Sequence, residues 1–185
     1  LKAGSTNPRD SIIQYNTIAG TSGAIKLWGW NSTQPSNITI AHNTIVNNTC
    51  GIILSNGENN TISANTVILN ERGISIAGEN NNVSRNLIES NFIGLEVGGY
   101  NNKLRSNEMN SNQFNFLPSM HPLILEPRMD ENDIDKSNEV DGRSIYYLTN
   151  QTGLTLDSST DPEIGFLGLK NCRNVTVRDL YLTNN

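Results

Sequence analysis

The chain has 185 residues, of which 35% are hydrophobic and 6% aromatic, with 13 Lys plus Arg against 18 Asp plus Glu and a net charge of −5. Interspersed charges of that sign leave no basic stripe for phosphate contacts, so a nucleic-acid partner is not expected. No run approaches the roughly 20 apolar residues that cross a bilayer, so no membrane span is expected within this chain.

Thirty residues are Asn, a polarity that alone would suggest disorder. Disordered segments lack β-branched residues in register, however, and here Ile and Val recur on schedule. A start at Leu1 rather than Met, with no signal peptide, reads as an excised or processed piece.

In chain order, the predicted elements are short strands on a 21–22-residue period. Asn43, Asn65, Asn86 and Asn107 mark the period, with Asn16 one longer step before and Asn138 one longer step after. Apolar residues lie three before each marker (Ile13, Ile40, Ile62, Val83, Leu104) and two after (Ile18, Ile45, Val67, Ile88, Met109, Val140). A third stripe follows as the pairs Ile25 with Leu27, Ile52 with Leu54, Ile74 with Ile76, and Leu95 with Val97. Each stripe is the inward face of a short alternating strand. Between the second and third stripes stand Ala24, Gly51, Gly73, Gly94 and Asn115.

A repeat of this length buries its apolar side chains only by stacking on its neighbours. Three strands per repeat, turned at Asn- and Gly-rich corners, predict an all-β right-handed parallel β-helix. One domain over 1–185 with about 8 rungs is expected, the pattern loosening but persisting beyond Asn138. The corners carry Asn columns six before the marker (Asn37, Asn59, Asn80, Asn101, Asn132) and five after (Asn48, Asn70, Asn91, Asn112). Asn tolerates left-handed backbone, and identical amides stacked at the strand spacing hydrogen-bond along the file. These asparagines are read as structural.

The period fails twice, near 28–36 and near 118–131. Both insertions follow a third strand, so they are expected on one side, four rungs or about 19 Å apart. Cys50 and Cys172 fall about five repeats apart, too far for a disulfide, and are expected to be free, buried thiols. Seven Asn-X-Ser/Thr sequons occur, at Asn31, Asn37, Asn47, Asn59, Asn82, Asn150 and Asn174. They are glycosylation candidates, although an Asn- and Thr-rich repeat generates the motif by accident and several of them are expected in the turn ladders.

Trp28 and Trp30 flank a glycine at the mouth of the first insertion and offer flat faces for sugar rings. Met120, His121 and Met129 in the second insertion are soft ligands of the kind that select Cu(I), without the spacing of a compact metal motif. Glycan cleavage wants two carboxylates, and Glu108 and Glu139 share one register position on neighbouring rungs. Glu89 and Asp141 share another two rungs apart, and Arg85 and Arg105 on the adjacent face could serve a lyase. His42 reads as a solvated surface residue and Met109 as core. No cofactor is expected.

The units Ile38-Thr-Ile-Ala-His-Asn-Thr-Ile-Val-Asn-Asn-Thr-Cys-Gly-Ile-Ile-Leu54 and Val83-Ser-Arg-Asn-Leu-Ile-Glu-Ser-Asn-Phe-Ile-Gly-Leu-Glu-Val97 resemble the repeats of pectin-lyase-like parallel β-helix proteins. The segment Asp135–Leu148, followed by Gly165–Asn171 and Asn174–Val177, is similar to the NosD-like group. That group includes a periplasmic copper-maturation protein and many archaeal cell-surface proteins. The resemblance implies the fold and leaves three functions open. The first is a non-catalytic extracellular or cell-surface scaffold (periplasmic if bacterial) that binds a glycan or another surface component, with end-to-end stacking of copies as one form of it. The second is a polysaccharide-active enzyme, and the third a copper-maturation role.

Overall fold

The structure is a computed structural model, and it describes residues 8–29, 34–118, 132–161 and 163–182. The first rung comprises β1 (Ile12–Gln14), β2 (Thr17–Ala19) and β3 (Ile25–Trp28), and the second β4 (Thr39–Ala41), β5 (Thr44–Val46) and β6 (Cys50–Glu58). The third has β7 (Thr61–Ser63), β8 (Thr66–Ile68) and β9 (Arg72–Glu79), and the fourth β10 (Asn82–Ser84), β11 (Leu87–Glu89) and β12 (Ile93–Tyr100). β13 (Lys103–Arg105), β14 (Glu108–Asn110) and β15 (Phe114–Pro118) complete the fifth, and β16 (Asp133–Ile134) and β17 (Glu139–Val140) begin a sixth. Equivalent strands of successive rungs pair in parallel and in register, giving three sheets around one apolar core. The predicted stripes are that core: Ile40, Ile45, Ile52, Ile62, Val67, Ile74, Val83, Ile88, Leu95 and Leu104 are all buried.

Most corners share one rule: a left-handed residue, then an asparagine turned inward, with Ile38 after Asn37 an apolar exception. Tyr15, His42, Ala64, Arg85 and Ser106 form one column of positive φ; Asn37, Asn59, Asn80 and Asn101 form a second; Asn47, Leu69, Ser90 and Ser111 form a third. Each Asn that follows such a residue joins a ladder. In the marker file, Asn65 donates its backbone N–H and its Nδ2 to Asn86 Oδ1, both at 3.0 Å. Its Nδ2 also donates to the Ile40 and Ser63 carbonyls at 2.9 and 3.1 Å. Its own Oδ1 accepts the N–H and Nδ2 of Asn43. Among the described residues, no buried side-chain nitrogen or oxygen is left without a partner. The marker and plus-five files therefore stand as expected, but the minus-six column needs correction. Asn37, Asn59, Asn80 and Asn101 are the exposed left-handed residues, and the third ladder runs through Asn60, Asn81 and Asn102 to Asn132.

The Gly51, Gly73, Gly94 column is set by close approach. A Cβ on Gly51 would lie 2.4 Å from the Gly73 carbonyl oxygen, and one on Gly73 2.6 Å from that of Gly94. At the end of the column Asn115 replaces glycine and closes the plus-five ladder. Asn112 donates to Asn115 Oδ1 from N at 3.1 Å and from Nδ2 at 2.8 Å, and Asn115 Nδ2 donates to Asp141 Oδ2 at 2.9 Å.

There the first coil ends, which corrects the expectation of about eight continuous rungs. Asp141 and Gly142, both at positive φ, turn the chain back. β18 (Arg143–Thr149) then pairs antiparallel with β17. β19 (Thr155–Asp157), β20 (Ile164–Lys170) and β21 (Thr176–Arg178) follow, with β18 parallel to β20 and β19 to β21. Leu156 pairs with Val177, so the 21-residue period resumes in a second coil. Ile145, Tyr147 and Phe166 face the first core, whereas Tyr146, Leu156 and Ile164 make a second core on the opposite face. The strand direction and the core-facing side have both reversed relative to the first coil. Phe116 and Phe166 meet edge to face at 5.1 Å, so the second coil covers the end of the first.

Cys50 and Cys172 are free, as expected, but half-buried rather than buried. Cys50 heads β6 on the outward side, and Cys172 lies in the second coil.

Candidate functional site

The strands before the two insertions, β3 and β15, are the opposite edges of one five-stranded sheet ordered β15-β12-β9-β6-β3. Four strand steps separate them, about 19 Å. Both irregular segments therefore depart from one side of the coil, as their spacing predicts. Trp30, Asn31, Met120, His121 and Met129 lie outside the described residues.

Alternation along these strands fixes what the sheet shows to solvent. One outward column runs Lys26, Ile53, Ser75, Glu96, Leu117, and the next runs Trp28, Ser55, Ala77, Gly98. Ile25 and Leu27 are buried, so β3 turns Lys26 and Trp28 outward, and Trp28 is 39% exposed. Beside the indole the column falls away to the half-buried Ser55 and the exposed Ala77, leaving low backbone along the coil axis as far as Gly98, which is buried. Glu96 is fixed at mid-face: Arg72 pairs with it at 3.2 Å and Ser75 Oγ donates to it at 2.9 Å. At the far edge Phe92 and Phe114 meet edge to face at 5.5 Å, with Leu117 exposed nearby. Sequence reading missed this apolar edge: Leu117 sits at the outward parity beside the buried Phe116 and so carried a signal, whereas Phe114 shares the parity of Phe116 and is outward only because the alternation breaks at the buried Asn115.

Glu108 and Glu139 are direct partners on β14 and β17, as their shared register position requires. They belong to the second sheet and point away from the core, on a different face from the two insertions. Like charges placed directly opposite repel, which disfavours the pair as a device for stability. Asp141 is committed to structure, accepting the Ser111 N–H at 2.7 Å and the Asn115 amide at 2.9 Å. Glu89 pairs in register with Asn110. Arg105 is held by Asp133 and, at 3.0 Å, by Asp135, so it is not a free base. Arg85 occupies a left-handed corner and is exposed. His42 is exposed as expected, but its ring stacks on Tyr15 at 5.1 Å. Met109 is fully buried core.

One carboxylate outside these candidates is strongly perturbed. Hydrogen bonding from the Ser159 hydroxyl, and then the Arg178 guanidinium 3.0 Å away, hold Asp157 well below the usual carboxylate range. These contacts tie β19 and its turn to β21, so the shift reports a structural anchor rather than a catalytic group. Among the described residues, no three His, Cys, Asp or Glu gather as a metal site would require. None of their helices is long and apolar enough to cross a membrane.

The family model for the right-handed β-helix region matches residues 4–161. The chain belongs to the right-handed β-helix family. The match spans the first coil and the reversal, and stops before β20 and β21 of the second. No match was found among curated proteins or among solved structures. In this β-helix the core and the ladders serve the scaffold, so individuality lies in the outward residues.

Proposed function

We infer that this β-helix is a non-catalytic extracellular or cell-surface scaffold whose five-stranded sheet presents a carbohydrate-binding strip. The observation that carries the reading is Trp28, exposed at the sheet edge and in register with the small residues Ser55, Ala77 and Gly98. A sugar ring can stack on the indole while the rest of the glycan lies over low backbone, and successive rungs repeat that floor about every 4.8 Å. Homotypic stacking, in this reading, uses the β1–β2 end, where Ile12 is 67% exposed, because the second coil covers the other end of the first core. Binding to a panel of immobilised polysaccharides tests the proposal. Trp28→Ala is expected to lower affinity at least about fivefold with an unchanged circular dichroism spectrum, the loss of one stacked ring being worth about 1 kcal/mol or more. Unchanged binding would remove the indole from the site.

The second reading, a polysaccharide-active enzyme, is favoured by the register of Glu108 with Glu139. Its test is product release from the bound polymer, which Glu108→Gln must abolish.

A further inference from the structure

The described sequon asparagines avoid the ladders. Asn37, Asn47, Asn59, Asn82, Asn150 and Asn174 are all exposed, and all but Asn82 are left-handed. This reverses the expectation that several would be tied into turns. In Asn47-Asn48-Thr49 and Asn59-Asn60-Thr61 the ladder residue is the middle residue of the motif. At these two the acceptor amide projects from the corner while its successor anchors the backbone.

Asn47 differs from the others in its surroundings. On the preceding rung its column holds Gly20, whose N–H donates to the Asn47 carbonyl and which has no side chain to crowd the amide. On the following rung it holds Leu69, a left-handed leucine that is 58% exposed. Ile68 precedes Leu69 and pairs in register with Val46, both half-buried on the outward face of the second sheet. A bulky aliphatic residue at positive φ and open to water is unfavourable on both counts. No described side chain covers this patch. Asn37 and Asn59 lack such a neighbour, and they occupy successive rungs of one column, where two branched sugars about 4.8 Å apart would collide.

We propose that Asn47 is an N-glycan attachment site whose first sugar ring packs over Leu69, Ile68 and Val46. The inference does not depend on the sheet face proposed to bind carbohydrate. The donor is an oligosaccharide linked through phosphate or diphosphate to a membrane lipid, with a transferase as catalyst. The C1–O bond to the phosphate breaks and C1 bonds to Nδ2 of Asn47. The amide gives up one proton, and the lipid phosphate leaves with the bonding pair. The left-handed corner holds the amide outward, and the leucine one rung along gives the attached ring an apolar surface to cover.

The test is secretion of the full chain from a glycosylating host, followed by enzymatic release of glycans in 18O water and peptide mass spectrometry. The Asn47 peptide is expected to be mostly occupied, and Thr49→Ala, an exposed position, abolishes that occupancy. At most one of Asn37 and Asn59 is expected to be occupied in any molecule. The packing is read separately: glycan release lowers the melting temperature of the wild-type chain, and this difference shrinks in Leu69→Ser. An unmodified Asn47 peptide overturns the assignment whatever the other sequons carry. An equal melting shift in Leu69→Ser overturns the packing contact.

Discussion

A buried asparagine at each corner does what no other side chain of its size can do. It accepts two hydrogen bonds from the rung before, and through its own N–H and Nδ2 it donates to the rung after. At Asn65 the two acceptances come from Asn43, and further donations reach the Ile40 and Ser63 carbonyls. Asn65→Ala leaves the Asn43 N–H buried without an acceptor, at about 1–3 kcal/mol, while the Asn43 amide keeps the Ile13 and Ala41 carbonyls. We expect about 1–3 kcal/mol lost in chemical denaturation, whereas substituting the exposed Asn80 costs little. The ladders also explain why Tyr15, Ala64 and Leu69 tolerate left-handed backbone at roughly 1–2 kcal/mol each. The inward amide that follows each of them fixes the turn whatever the outward residue is. Outward corner residues are thus free to vary, and the Tyr15–His42 stack and the Asn47–Leu69 neighbours arise there.

At the scale of single strands, the glycine column and the β19–β21 pair are the sensitive places. Gly73→Ala puts a methyl about 2.6 Å from a backbone carbonyl that the ladder holds in place, so overpacking of about 1–3 kcal/mol is expected as a lower denaturation midpoint. The β19–β21 pair is pH-sensitive through Asp157. Its folded-state pKa lies below the unfolded value, so its stabilising effect is full at neutral pH and fades as pH falls below about 4. Amide-exchange protection of β19 and β21 is therefore expected to decline progressively as pH is lowered from about 5 to about 2, while the marker-file strands keep theirs. An equal change in both coils over that range would contradict this assignment. Helical propensity has no part at this scale, because strands of three residues are stabilised by the coil around them and not by their own length.

At the scale of the molecule, the described residues form two coils joined at one hairpin, and the second closes the first. Ile145, Tyr147 and Phe166 pack on the first core, and the Ile145 N–H donates to the Asn138 carbonyl at 2.8 Å. A chain terminated after Asp141 keeps five complete rungs but uncovers Phe116 and Val140 and leaves the β17 edge unpaired. Open edges with apolar surface associate. Light scattering after size exclusion should show that truncated chain as oligomers, and a stable monomer would show that the second coil is dispensable as a cover. The Lys136 ammonium, 3.8 Å from the Tyr146 ring centroid, adds a tie between the last turn of the first coil and the second core.

The 21–22-residue period by itself determined the β-helix, its three strands per rung, the core stripes and the shared side of the two insertions. These follow from alternation and stacking, which are local and repetitive, so one register propagates through the chain. It also placed Glu108 opposite Glu139 and Trp28 on an outward strand position. Three things depended on the tertiary structure. Which asparagines turn inward is decided by the sign of φ at the preceding residue, and a run such as Asn80-Asn81-Asn82 does not reveal that sign. The chain reverses at Asp141 and Gly142 where Arg143 stands at the ladder position, and Asn115 closes the ladder there by donating to Asp141, a residue 26 positions away in sequence. The setting of each candidate residue is the third: an exposed indole beside small residues, an acid pair on another sheet, a sequon beside an uncovered leucine. A repeat pattern records which residues lie one rung apart, but the side chains that meet around a corner are fixed only when the coil is closed.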